Sequence, residues 1–92
     1  MKVQVKVFSS LQELSEKEVN LDLPDGATVS DVLYEMTRRS PGLSREILGP
    51  SGMPADHITI LLNGRNIRHL AGPLTGLADG DLIAIFPPSG GG

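Results

Sequence analysis

Asp79-Gly80-Asp81-Leu82-Ile83-Ala84-Ile85-Phe86-Pro87-Pro88 reads as a turn, a strand and a stop. Asp-Gly-Asp supplies the turn. The five residues after it form a near-continuous apolar run of the kind found in central strands, and the paired prolines end it because neither can donate a ladder hydrogen bond. The first segment of the chain offers this strand a neighbour. Lys2-Val3-Gln4-Val5-Lys6-Val7-Phe8 alternates with period two, which buries Val3, Val5 and Val7 on one face. If the first and last strands pair in the middle of one sheet, the pairing is parallel and joins the two halves of the chain.

The segments between them fit that frame. Ser9 to Ser15 is a turn region with a short helical turn around Leu11 and Leu14. Glu18-Val19-Asn20-Leu21-Asp22-Leu23 alternates again and closes on Pro24-Asp25-Gly26, so the first two strands form an antiparallel hairpin. Thr28 and Asp31 open a helix in which Val29, Val32, Leu33 and Met36 share one face. Arg38 and Arg39 suit its last turn, and Pro41-Gly42 is expected to stop it. Leu43, Ile47 and Leu48 can line a further short helix before the loop Gly49-Pro50-Ser51-Gly52. Asn63-Gly64, between Ile58–Leu62 and Arg65–Ile67, is a strong hairpin signal, since a type I′ turn needs two residues with positive φ. Leu70 to Leu77 is a connector punctuated by Gly and Pro. The predicted fold is α+β, a β-grasp: a mixed sheet of about five strands with one main covering helix. Residues 1–88 make the domain and 89–92 a flexible glycine-rich tail leaving from the centre of the sheet.

Composition narrows the function. With 92 residues there is room for one core, and 39% hydrophobic against 21% charged residues is an ordinary globular balance. A net charge of −3 argues against a nucleic-acid partner. The lack of cysteine excludes disulfides, thiolate metal sites and a cysteine nucleophile. No apolar stretch approaches the roughly 20 residues of a membrane span, and Met1-Lys2-Val3-Gln4 begins no signal peptide, so no membrane role and a cytoplasmic location are expected. Three aromatic residues (Phe8, Tyr34 and Phe86) leave the core to Val, Ile and Leu. A chain this small favours a carrier or binding module over an enzyme with an enclosed active site.

Conventional catalytic constellations are missing from the sequence. His57 and His69 lack the spacing of a metal pair and read as exposed loop or edge residues. Asp79 and Asp81 flank a turn glycine and read as structural, and Gly49-Pro50-Ser51-Gly52 lacks the Lys-Ser/Thr of a phosphate loop. Arg38, Arg39, Arg65 and Arg68, without stacking aromatics, suit a protein partner better than nucleic acid. The end of the chain remains. Phe86 is held in the sheet, and Pro87-Pro88 should continue extended and stiff. The six residues after Phe86 reach roughly 20 Å when extended, far enough to enter a partner's active site. Glycine lets such a chain thread a narrow channel.

Three landmarks carry a resemblance: the terminal string Asp79 to Gly92, the hairpin Leu62-Asn63-Gly64-Arg65, and the helix opening Ala27-Thr28-Val29-Ser30-Asp31-Val32-Leu33. In this order they resemble the MoaD/ThiS family of ubiquitin-like sulfur carriers along essentially the whole chain, with Ser89-Gly90 standing where members often carry Val-Ser or Val-Ala. The resemblance implies that Gly92 is the reacting residue. Its carboxylate is adenylated with ATP by a partner adenylyltransferase of the ubiquitin-activating type, and sulfur relayed by a sulfurtransferase leaves a thiocarboxylate. Gly90 and Gly91 supply access, while Phe86, Pro87 and Pro88 fix where the tail leaves. The domain binds no cofactor or metal and is not catalytic alone. The Phe-Pro-Pro exit resembles the branch whose members are small subunits of molybdopterin synthase, and this likeness implies the sulfur-donating part of a complex with the large subunit in molybdenum cofactor biosynthesis. The alternatives are a modifier conjugated to lysines through the same glycine, a carrier for tRNA thiolation, thiamin or cysteine synthesis, and a plain interaction module with an idle tail.

Overall fold

Residues 1–88 are described by the computed structural model. Their elements are β1 (Lys2–Val7), a 3-10 turn (Ser9–Glu13), β2 (Glu18–Asp22), α1 (Val29–Arg39), α2 (Pro41–Ile47), β3 (Thr59–Leu62), β4 (Arg65–Asn66), 3-10 turns at Ile67–His69 and Gly72–Leu74, and β5 (Leu82–Phe86). Among the described residues the strands form one five-stranded sheet in the order β2-β1-β5-β3-β4. β5 lies in the middle, parallel to β1 and antiparallel to β3. This is the β-grasp arrangement, a mixed sheet covered on one face.

The covering layer follows from capping and periodicity. Thr28 is the N-cap of α1 and forms a capping box with Asp31, whose carboxylate accepts from the Thr28 backbone N–H at 2.8 Å. Val29, Val32, Leu33 and Met36 are buried against Val3, Val5 and Val7 of β1 and Ile83 and Ile85 of β5 in one aliphatic core. Pro41-Gly42 does not simply terminate α1. Pro41 is the first residue of α2, a position where its missing N–H costs nothing, and Leu43 and Ile47 add to the core. The return strand of the second hairpin is also shorter than its sequence suggests. It ends at Asn66, whose side chain accepts from the Arg68 N–H at 2.9 Å and starts a 3-10 turn at Ile67.

The apolar run of β5 is central, yet it is buried on one side only. Ile83 and Ile85 are fully buried, whereas Leu82, Ala84 and Phe86 are half-buried on the face opposite the helices. Asn63 and Gly64 both have positive φ, at 49° and 86°, as the type I′ turn requires.

Candidate functional site at the end of the central strand

Both ends of β5 are held by features that the sequence makes conspicuous. At its start, Asp79 accepts from the Lys2 N–H at 2.7 Å and Asp81 accepts from the Ala78 N–H at 2.8 Å. The Asn63 amide joins this turn to the β3–β4 hairpin: its Nδ2 donates to Asp81 Oδ1 and its Oδ1 accepts from the Leu82 N–H, both at 2.9 Å. Asp79 and Asp81 are therefore structural, as their flanking of Gly80 suggests.

At the far end, Phe86 pairs with Thr59 of β3, and the Phe8 N–H donates to the Ile85 carbonyl at 3.1 Å. The rings of Phe8 and Phe86 stack with centroids 4.4 Å apart and planes 9° from parallel. Pro87, half-buried, and Pro88, exposed, follow. Beside them opens a groove of about 680 Å³ lined by Ser9, Ser10, Thr59, Leu61, Phe86, Pro87 and Pro88. It continues an uncovered sheet face whose centre is Leu61, Leu82, Ala84 and Phe86, with Gln4 and Lys6 along one side. Lys6 lies 3.5 Å from Glu18.

The structure thus brings Phe86, Pro87 and Pro88 together at the end of the sheet, while Gly90, Gly91 and Gly92 lie outside the described residues. Ser9, Ser10, Thr59 and Leu61 are lining residues that sequence reasoning missed, as is Phe8, whose ring stacks on Phe86. Phe8 had a signal: it ends the β1 alternation out of phase with Val7, and parallel pairing of β1 with β5 places it next to Phe86. Arg38, Arg39 and Arg68 make local contacts. Arg38 and Arg39 pair with Glu35 on α1, and Arg68 donates to the carbonyls of Asp56 and Ile58. His57 and His69 are exposed, and among the described residues no three His, Cys, Asp or Glu side chains gather as a metal site. No helix of the described residues is long and apolar enough to cross a membrane. Among the described residues, the distinctive feature is a strand end, Phe86-Pro87-Pro88, that leaves the middle of the sheet beside a half-apolar face.

Comparison with known proteins agrees. The sequence profile of the ThiS family matches residues 5–92. Small archaeal modifier protein 3 of Haloferax volcanii is 34% identical over 93 residues, covering 100% of both chains. The sulfur carrier protein CysO of Mycobacterium tuberculosis is 30% identical over 69 residues, 73% of this chain and 74% of that one. The solution structure of small archaeal modifier protein 1 from Methanosarcina acetivorans superposes with a TM-score of 0.87 at 39% identity, covering 99% of this chain and 96% of that one. With the β-grasp topology, the clamped central strand and a profile match that runs through the terminal glycines, the chain belongs to the ThiS family, within the ubiquitin-like MoaD/ThiS group of sulfur carriers and modifiers.

Proposed function

We propose that this chain is a ubiquitin-like modifier activated at Gly92 and transferred to lysine side chains of other proteins. The observation that carries the reading is the exit of Phe86-Pro87-Pro88 from the central strand beside a half-apolar sheet face that no other described element covers, in a chain alike over its whole length to a protein named a modifier. A carboxylate is a poor acyl donor at neutral pH. A partner adenylyltransferase of the ubiquitin-activating type therefore joins the Gly92 carboxylate to AMP and releases pyrophosphate from ATP. A lysine Nζ attacks the acyl carbon, an amide forms, and AMP leaves with loss of one proton. This chain contributes the docking face and the reach; the partner contributes nucleotide, metal and catalytic groups.

A second reading, sulfur carriage, is favoured by the likeness to CysO. Here the terminal sulfur of a sulfurtransferase persulfide displaces AMP, and a thiol then cleaves the resulting acyl disulfide to leave a Gly92 thiocarboxylate. The sulfur rides on the backbone terminus, which suits a chain with no cysteine. Both uses share the adenylate. The small-subunit role in molybdopterin synthase is the narrower form of this second reading, and the likeness to modifier proteins weighs toward conjugation.

One preparation separates these outcomes. In a Ser89→Arg variant expressed in the native host, trypsin leaves Gly90-Gly91-Gly92 as a branch on each acceptor lysine, which mass spectrometry of the proteome detects. Branched peptides that vanish on deletion of Gly92 are the expected result. Intact mass of the unreduced wild-type chain reports the thiocarboxylate as one sulfur-for-oxygen exchange at Gly92. Finding neither product overturns both readings and leaves an interaction module.

A further inference from the structure

Two of the three aromatic residues of this chain stand at the tail exit, outside the core. The core of the described residues is aliphatic, and neither Phe8 nor Phe86 belongs to it. Their stacking, at 4.4 Å and 9°, therefore lies on the open face of the sheet, where packing α1 against β1 and β5 does not require it. The backbone around Phe8 is adapted to hold its ring there. The Phe8 N–H extends the parallel ladder by one bond to Ile85, and the chain then turns away at Ser9 with φ of 53°. Among the described residues, Ser9 and Asn63 are the non-glycine residues with positive φ, and Asn63 has the hairpin turn to account for it. Left-handed backbone at a serine is unfavourable, because the Cβ crowds the following carbonyl oxygen. Here it starts the 3-10 turn at once and sets Ser9 and Ser10 against the groove that Pro87 and Pro88 also line.

We propose that Phe8 is a positioning residue for the tail. Its ring clamps Phe86, so that Pro87-Pro88 leave the sheet in one direction and Gly92 arrives at the partner's nucleotide with the domain already docked. The proposal rests on the reading of Gly92 as the reacting residue. Without the clamp, β5 still ends in the same place, but its last side chain loses the plane that fixes it. Each docked complex then presents the terminus over a wider range of positions. The loss appears in kcat, because misplacing a reacting group by about 1 Å can cost on the order of a hundredfold.

The test has one measurement with no partner and one with it. The chain has no native cysteine, so Asp25→Cys, in the turn at the opposite end of the sheet, and Ser89→Cys accept paired spin labels. Double electron–electron resonance then reads the spread of distances between them. Phe8→Ala and Phe8→Leu are expected to broaden the distribution, while Phe8→Tyr keeps it as narrow as in the parent. With the host's adenylyltransferase, ATP–pyrophosphate exchange on the unlabelled full chain is expected to lose about tenfold in kcat for Phe8→Ala, with KM within about twofold and recovery in Phe8→Tyr. An unchanged distance width in Phe8→Ala overturns the proposal, as does full recovery in Phe8→Leu, which would reduce the contact to apolar bulk. A rise in KM alone also overturns it, by making Phe8 part of the docking surface. A wild-type chain that supports no exchange sinks the functional reading instead, and the distance widths still decide the positioning.

Discussion

Asn63 shows how much one side chain can organise at a turn. It adopts positive φ, its amide bonds Asp81 and the Leu82 N–H, and its own N–H donates to the Leu82 carbonyl at 2.8 Å. Asn63→Ala removes both side-chain bonds and places a Cβ-bearing residue without local polar compensation in left-handed backbone. The expected loss is about 1–3 kcal/mol of stability, read from the urea midpoint of the full chain. Gly80 makes the neighbouring case. Its φ is 87° and its N–H donates to the Lys2 carbonyl at 2.7 Å, while a Cβ built there meets nothing within 4 Å. Gly80→Ala therefore tests backbone strain free of any clash, with an expected cost of about 1–2 kcal/mol by the same measurement.

At the scale of elements, α1 carries a titratable support and β2 carries a guard. The hydrogen bond from Arg38 to Glu35, opposed by desolvation and helped by the charges of Arg38 and Arg39, holds the Glu35 carboxyl below the usual carboxylate range. A carboxyl lowered by folding stabilises the native state above its unfolded value, about 4.5, and that support is lost as pH falls through the lowered value. The stability gap between wild type and Glu35→Gln should accordingly be small at pH 7, shrink with added salt, and close in acid; urea titrations at pH 7 and pH 3 check this. On β2, Val19 and Leu21 point into the core while Glu18, Asn20 and Asp22 are exposed along the edge of the sheet. Antiparallel pairing of two copies about Asn20 sets Glu18 against Asp22, a like-charge contact that discourages sheet-to-sheet association. The double variant Glu18→Val with Asp22→Val is expected to self-associate with rising concentration in sedimentation equilibrium, where the wild type does so less.

For the whole molecule, β5 is the strand on which both chain halves depend. It is the neighbour of both β1 and β3, and Ile85 is fully buried between the two hairpins. Ile85→Ala should cost about 2–5 kcal/mol, a large share of the roughly 5–15 kcal/mol typical of a domain, and lower the denaturation midpoint accordingly. The same placement makes the strand that completes the fold the one that presents the tail. If the proposed function holds, a variant loosened at Ile85 is expected to lose tail delivery together with stability, whereas Phe8→Ala is expected to affect delivery more than stability.

Local chemistry made most of the architecture readable. The period-two pattern of β1, the Thr28–Asp31 opening and apolar stripe of α1, and Asn63-Gly64 each encode their geometry within a few residues, and the glycine-rich end is visible by inspection. Three things needed the tertiary structure. Pro41 suits both a helix stop and a helix start, and only the burial of Leu43 and Ile47 chose the start. Phe8 and Phe86 are far apart in sequence and meet only through the parallel ladder. The third is the choice of sheet face in β3 and β5, where both alternating sets are largely apolar and their own residues cannot decide it. Val5 opposite Ile83 and Val7 opposite Ile85 decide it, because β1 alternates valine with Gln4 and Lys6 and has only one face it can bury. That register turns Leu61, Leu82, Ala84 and Phe86 outward, and a register between distant strands is a property of the folded chain.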